Sequence, residues 1–174
     1  MMWPGDILAA SVVALLLIAA STDIAYRLIP NWIAVIIGSL GMAGRLVVSP
    51  TAFCVSLAIT LVLLALMLVL HARGLFGGGD VKLVSAVCLG LSASLVYRFI
   101  FITAMAGGVL ALVHLIGRRA VRGRAVRGPL PRGSLLLHRI VSVEIWRLAH
   151  HGSLPYGVAI ACGGIWTILV GPGN

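Results

Sequence analysis

The sequence predicts an all-α fold: a polytopic membrane protein with six transmembrane helices and both termini on the outer side. Three observations predict it. Of 174 residues, 61% are hydrophobic and 10% charged, whereas a soluble domain of this size carries about a quarter charged residues. Six apolar runs approach the roughly 20 residues that a spanning helix needs. Basic residues gather in the segments on one side of those runs. The length allows one domain, residues 1–174, with a basic loop at about 117–150 as its main extramembrane piece.

The first span is expected at about Ile7–Thr22 and the second at about Pro30–Val48. The third, "AFCVSLAITLVLLALMLVL", covers about Ala52–Leu70. A fourth follows at about Val81–Val96 and a fifth at about Phe99–Ile116, separated by a turn near "SASLVYR". The sixth is expected at about Leu154–Val170. Trp3, Tyr26, Trp32, Tyr97 and Tyr156 fall near these boundaries, where amphipathic rings sit at headgroup depth. Pro30 and Pro155 precede or open helices, where a missing N–H costs nothing. Gly107-Gly108 and Gly163-Gly164 suit close helix contact. No Lys or Arg precedes the first span, so it does not read as a cleaved signal.

Arg118, Arg119, Arg122, Arg124, Arg127, Arg132, Arg139 and Arg147 place the loop before the last span in the cytoplasm. Alternation then puts Arg27, Arg73 and Lys82 on the same side, and only Arg45 and Arg98 outside. The loop contains a tandem "RAVRG-RAVRG" and reads as a tether on anionic lipid. It has no interleaved aromatics for stacking, so nucleic acid is not expected as a partner. The following "SLLLHRIVSVEIWRLAH" suits an amphipathic surface helix. Cys54, Cys88 and Cys162 sit singly in apolar runs and read as small buried hydrophobes. His138, His150 and His151 lack the ligand spacing of a metal site. Neither metal nor cofactor is expected.

Only four acids occur: Asp6, Asp23, Asp80 and Glu144. The topology puts Asp23 and Asp80 at similar depth near the cytoplasmic face, although a charge within a span is costly. Simple structural roles exist for each. Asp80 can N-cap its helix, the glycines Gly77, Gly78 and Gly79 can make a tight turn, and Asp23 can pair with Arg27 four residues on. The functional alternative is a carboxylate pair sharing one proton. One member would activate water; the other would polarise a scissile carbonyl and later protonate the leaving amine. The glycines would let an extended substrate approach Asp80 closely. Lys82 would either snorkel to the headgroups or favour carboxylate charge.

At these residues the sequence resembles a known family. "DIAYRLIPN", Asp23 to Asn31, resembles the first motif of type IV prepilin peptidases. "GGGDVKL", Gly77 to Leu83, resembles their GxGD motif, and "LPYGVAIA", Leu154 to Ala161, resembles a motif in their last span. The resemblance implies an intramembrane aspartic endopeptidase of the bacterial inner membrane, its site facing the cytoplasm and Asp23 and Asp80 as catalytic dyad. Gly77, Gly78, Gly79, Lys82, Arg27, Pro30, Asn31, Pro155, Tyr156 and Gly157 would support or position substrate. Implied substrates are prepilins or pseudopilins, cut between a short basic leader and the hydrophobic stem. Longer family members insert a cytoplasmic segment, often with four cysteines, between the first two spans, and they N-methylate the new terminus. Here that loop is about Ile24–Ile29, so the chain is similar to the peptidase-only form of tight-adherence (Flp-type) pilus systems, without N-methylation.

Two rival readings fit the residues less well. A presenilin-like GxGD protease would show Tyr-Asp and Pro-Ala-Leu where this chain has Thr22-Asp23 and Pro155-Tyr156-Gly157. A proton-coupled transporter using Asp23 and Asp80 as relays would place acids near the midplane and show internal repeats; neither is visible.

Overall fold

The computed structural model describes residues 4–121 and 154–171. Six α-helices occur among them, and no strand: α1 (Pro4–Tyr26), α2 (Asn31–Val48), α3 (Pro50–Ala72), α4 (Gly78–Gly90), α5 (Ala93–Val121) and α6 (Tyr156–Val170). Two compact units divide the chain, Met1–Ala106 with Pro155–Asn174 in one and Gly107–Leu154 in the other. Trp3, Glu144, His138, His150, His151, most of the arginine-rich loop and the expected amphipathic helix lie outside the described residues.

Helix ends follow from local chemistry. The first helix runs past Asp23 to Tyr26, so Asp23 lies in its last turn rather than at its end. Arg27 then takes φ +56° and its N–H bonds Asp23 O at 2.9 Å, which is a left-handed C-terminal cap. In a residue other than glycine that conformation costs roughly 1–2 kcal/mol. Pro30 follows and bars Ile29 from helical geometry. Ser49 joins α2 to α3 alone: it ends the one, and its side chain accepts the Ala52 N–H at 3.0 Å to start the other, with Pro50 in the first turn.

Four helices among the described residues are long and apolar enough to cross a membrane: Ile7–Tyr26, Asn31–Val48, Pro50–Ala72 and Ala93–Arg119. The chain is therefore read as a multi-pass membrane protein. The expected fourth and fifth spans are redrawn. The break falls at Leu91-Ser92, at the very start of "SASLVYR", where Leu91 is extended and its N–H turns back to Cys88 O. Helix α4 thus has 13 residues and a length of about 20 Å, short of a roughly 30 Å hydrocarbon layer. Hydropathy alone runs through this break because the residues on both sides of it are apolar.

In the first unit the short helices are the buried ones. Val81, Leu83, Ala86, Val87 and Cys88 of α4 are buried, as are Ala159, Ile160, Ala161 and Thr167 of α6. Helix α4 packs on α2, α3 and α6, while α1 packs on α6 and α2. The long helices show the reverse pattern. On α3 the buried residues are Ser56 and Thr60, with Leu61, Val62, Leu66 and Leu68 exposed. Polar groups turned inward and aliphatic ones outward suit a hydrocarbon solvent. Ser56 accepts from Arg45 Nε at 2.9 Å and donates to Leu91 O at 2.8 Å, tying α2, α3 and the α4–α5 break. The cysteines divide accordingly: Cys88 is buried, but Cys54 and Cys162 are exposed, a correction to the expectation that all three are buried. An apolar face that meets lipid holds a thiol as readily as a core does.

Helices α2 and α4 approach closely because Gly41 and Gly90 face one another; a Cβ at Gly90 would stand 2.9 Å from Gly41 Cα. Gly90→Ala should lower unfolding stability in detergent by about 1–3 kcal/mol through overpacking. Gly108, with nothing within 4 Å of its would-be Cβ, serves as control: Gly108→Ala should leave the melting temperature unchanged or raised.

Candidate active site

The motif residues meet at one end of the first unit, where α1 finishes and α2, α4 and α6 start. Asp23 is 6% exposed. Its Oδ2 accepts the Gly157 N–H at 2.8 Å across 134 residues of sequence. Pro155 is the N-cap of α6 and offers no side-chain cap, so Asp23 caps that helix from another one. An N–H in the first turn of a helix is a natural partner for negative charge. Only glycine fits there, because a Cβ at residue 157 would stand 2.8 Å from Asp23 Oδ2 and 3.1 Å from its Cγ.

Asp80 is not the N-cap of α4, as one structural reading had it. Gly77 holds that position and Asp80 comes three residues later. Its carboxylate reaches back, and Oδ2 lies 2.9 Å from where a Gly77 Cβ would be. This is the acidic half of a capping box, with the glycine backbone in place of a capping hydroxyl. Asp80 precedes the apolar run of α4 and lies outside the four candidate spans. Burial pushes its carboxyl up from 3.8 to about 6, the nearby charge of Asp23 adds to this, and the Gly77 N–H opposes it. The two acids therefore sense each other electrostatically, which brings together residues 57 positions apart.

The remaining motif residues buttress the pair. Lys82 Nζ donates to Asn31 Oδ1 at 3.0 Å, joining the first motif to the second. Lys82 is thus given a partner that neither sequence-based role for it named. Pro30 is the N-cap of α2 in extended geometry, with Asn31 the first helical residue. The would-be Cβ of Gly79 lies 3.3 Å from Ile29 Cβ, so the segment after Arg27 packs on the glycine run. Tyr156 meets Phe76 edge-to-face, ring centroids 5.3 Å apart. Gly78 borders His71.

Sequence reasoning missed Phe76 and His71. Phe76 stands directly before the glycine run and His71 in the last turn of the preceding helix, and their proximity to "GGGD" was the available signal. Among the described residues no three His, Cys, Asp or Glu side chains cluster as metal ligands. A cavity of about 470 Å³, lined by Leu8, Val12, Ile37, Gly41, Gly90 and Thr167 among others, includes neither aspartate.

A family model described as the type IV leader peptidase family matches residues 10–112, which contain both aspartates and more than half of the chain. The chain belongs to the type IV leader peptidase family. Searches of curated proteins and of solved structures give no match. The "LPYGVAIA" motif lies beyond the matched residues, and the Gly157–Asp23 hydrogen bond and the Tyr156–Phe76 ring contact tie it to the rest.

Gly157→Ala should force the Asp23 carboxylate off the α6 N-terminus. If Asp23 takes part in the chemistry, leader-peptide cleavage should drop by roughly 10²-fold or more, the scale of a misplaced reacting group, while Gly108→Ala leaves it unchanged. Equal cleavage rates for the two variants would show that this close approach is irrelevant to activity.

Proposed function

We propose that this chain is a prepilin leader peptidase, an aspartic endopeptidase in which Asp23 and Asp80 act on one water molecule. The supporting observation is the juxtaposition of two acids in unlike settings. Asp23 is hydrogen-bonded at a helix N-terminus; the Asp80 carboxyl is pushed up by burial and by Asp23. Unlike settings divide one proton unequally between two carboxyls. Asp80 starts with it and passes it to the scissile carbonyl oxygen, while ionised Asp23 takes a proton from water as the oxygen attacks. In the breakdown step the leaving amine is protonated by Asp23, with the proton taken from water, rather than by the carbonyl-polarising acid as the sequence reading had it, and Asp80 recovers its own proton from the tetrahedral diol.

The six helices form the membrane body, with both termini outside and the aspartates at the cytoplasmic face of the bacterial inner membrane. The distribution of arginines supports this orientation, since eleven of the 13 basic residues fall on the aspartate side. The short α4 and α6 both start at the end of the first unit where the aspartates lie, and water reaching that end would serve hydrolysis. The substrate is a prepilin or pseudopilin whose basic leader stays in the cytoplasm. The connection between α1 and α2 is only Arg27 to Pro30, which supports peptidase activity without N-methylation. The basic loop, residues 117–150, anchors on anionic lipid.

Purified protein in detergent should process a prepilin, and Asp23→Asn and Asp80→Asn should each lower the rate by roughly 10²–10⁴-fold without loss of folding. Retained cleavage in either variant would remove that residue from the dyad. A proton-flux defect with normal cleavage would favour a transporter.

The raised Asp80 carboxyl sets a pH dependence. Activity that needs its proton should fall as pH rises through about 6. Stability follows the same sign. The folded state holds this proton more tightly than the unfolded state does, so stability declines as pH climbs from 3.8 to about 6. Thermal melting of wild type across that window should show the decline, and Asp80→Asn should reduce it.

A further inference from the structure

The exposed His71 is used by neither proposed step, yet it reaches into the glycine run. Helix α3 ends in a tight reversal: Gly74 takes φ +74°, its N–H bonds His71 O at 2.8 Å, and the Leu75 N–H bonds Leu70 O at 3.0 Å. This pair of bonds is a Schellman cap. The reversal returns the chain to the His71 side chain, whose Nδ1 lies 2.7 Å from Phe76 O. A carbonyl oxygen only accepts, so Nδ1 carries the hydrogen and donates.

The carbonyl of Phe76 and the N–H of Gly77 belong to one planar peptide unit. Asp80 Oδ2 lies 2.9 Å from the would-be Cβ of Gly77, beside that same peptide. The unit is thus gripped on its carbonyl side by His71 and flanked on its N–H side by Asp80. The Phe76 ring, on the adjoining residue, bears on Tyr156, whose neighbour Gly157 holds Asp23. A hydrogen bond on the carbonyl of a peptide also strengthens its N–H as a donor.

We infer that His71 is a positioning residue for the proposed reaction: its Nδ1–H fixes the Phe76–Gly77 peptide, and that peptide fixes Asp80 opposite Asp23. This inference rests on the peptidase reading for its kinetic consequence, but not for its structural one.

Three substitutions test it. Asparagine carries an amide N–H close to the place of Nδ1; glutamine carries one further out, near the place of Nε2; alanine carries none. His71→Ala and His71→Gln should lower kcat for prepilin cleavage by about tenfold, the scale of one lost hydrogen bond. KM should stay within about twofold, because the histidine orients the acid and holds no leader. His71→Asn should keep most of the wild-type kcat. Amide hydrogen exchange should speed up over residues 72–80 in the alanine and glutamine variants and stay at the wild-type rate in the asparagine variant.

Wild-type kcat and exchange in His71→Ala would overturn the inference. So would an asparagine variant as impaired as the alanine one, since the ring rather than the Nδ1 donor would then be required. If wild-type protein cleaves no prepilin, the peptidase reading falls, and the exchange comparison still decides whether His71 holds the peptide.

Discussion

An acidic side chain buried in an apolar helical body must either find donors or draw water in with it. Asp23 finds a donor in the Gly157 N–H at 2.8 Å. That one bond does two jobs, since it satisfies the carboxylate and it supplies α6 with the cap that Pro155 does not offer. It also makes the last motif part of a site otherwise built from the first two. Glycine at residue 157 follows from it, and the Tyr156–Phe76 ring contact and the packing of α1 on α6 lie beside it.

The second acid is held by different means. Asp80 has the backbone of its own helix start, a glycine run without side chains to crowd it, and the Lys82–Asn31 bond that fastens α4 to α2 close by. Its setting is only half-buried, whereas Asp23 is almost fully enclosed. Two acids with the same chemistry thereby sit in unlike environments, which the proposed division of acid and base roles would use. The burial of the short helices serves the same end. A 13-residue α4 packs among longer neighbours and carries half-buried Asp80 in its first turn.

Much of this was legible in the sequence because hydrocarbon imposes simple rules. Long apolar runs announced α1, α2, α3 and most of α5, and the scarcity of acids pointed to Asp23 and Asp80. The helix boundaries were less legible. The break at Leu91-Ser92 falls at the start of the turn expected near "SASLVYR", but α4 ends at Gly90 rather than at the expected Val96, and α1 continues through "DIAY" because nothing before Pro30 forbids it. The exposed Cys54 and Cys162 were misread because hydropathy does not distinguish a face toward protein from one toward lipid. The ties across the site, Gly157 to Asp23 and Lys82 to Asn31, span 134 and 51 residues, and no local pattern reports them. The left-handed Arg27 was equally invisible, as arginine carries no preference for that geometry.

The central claim is that the carboxyl groups at residues 23 and 80 face one site closely enough to share a proton. Crosslinking measures this directly. In a background with Cys54, Cys88 and Cys162 replaced, the double variant Asp23→Cys/Asp80→Cys in native membranes should be bridged rapidly by a short bifunctional thiol reagent, and each single variant should not. A pair linked only by long-armed reagents, at the rate of two cysteines chosen elsewhere on α1 and α4, would contradict the account.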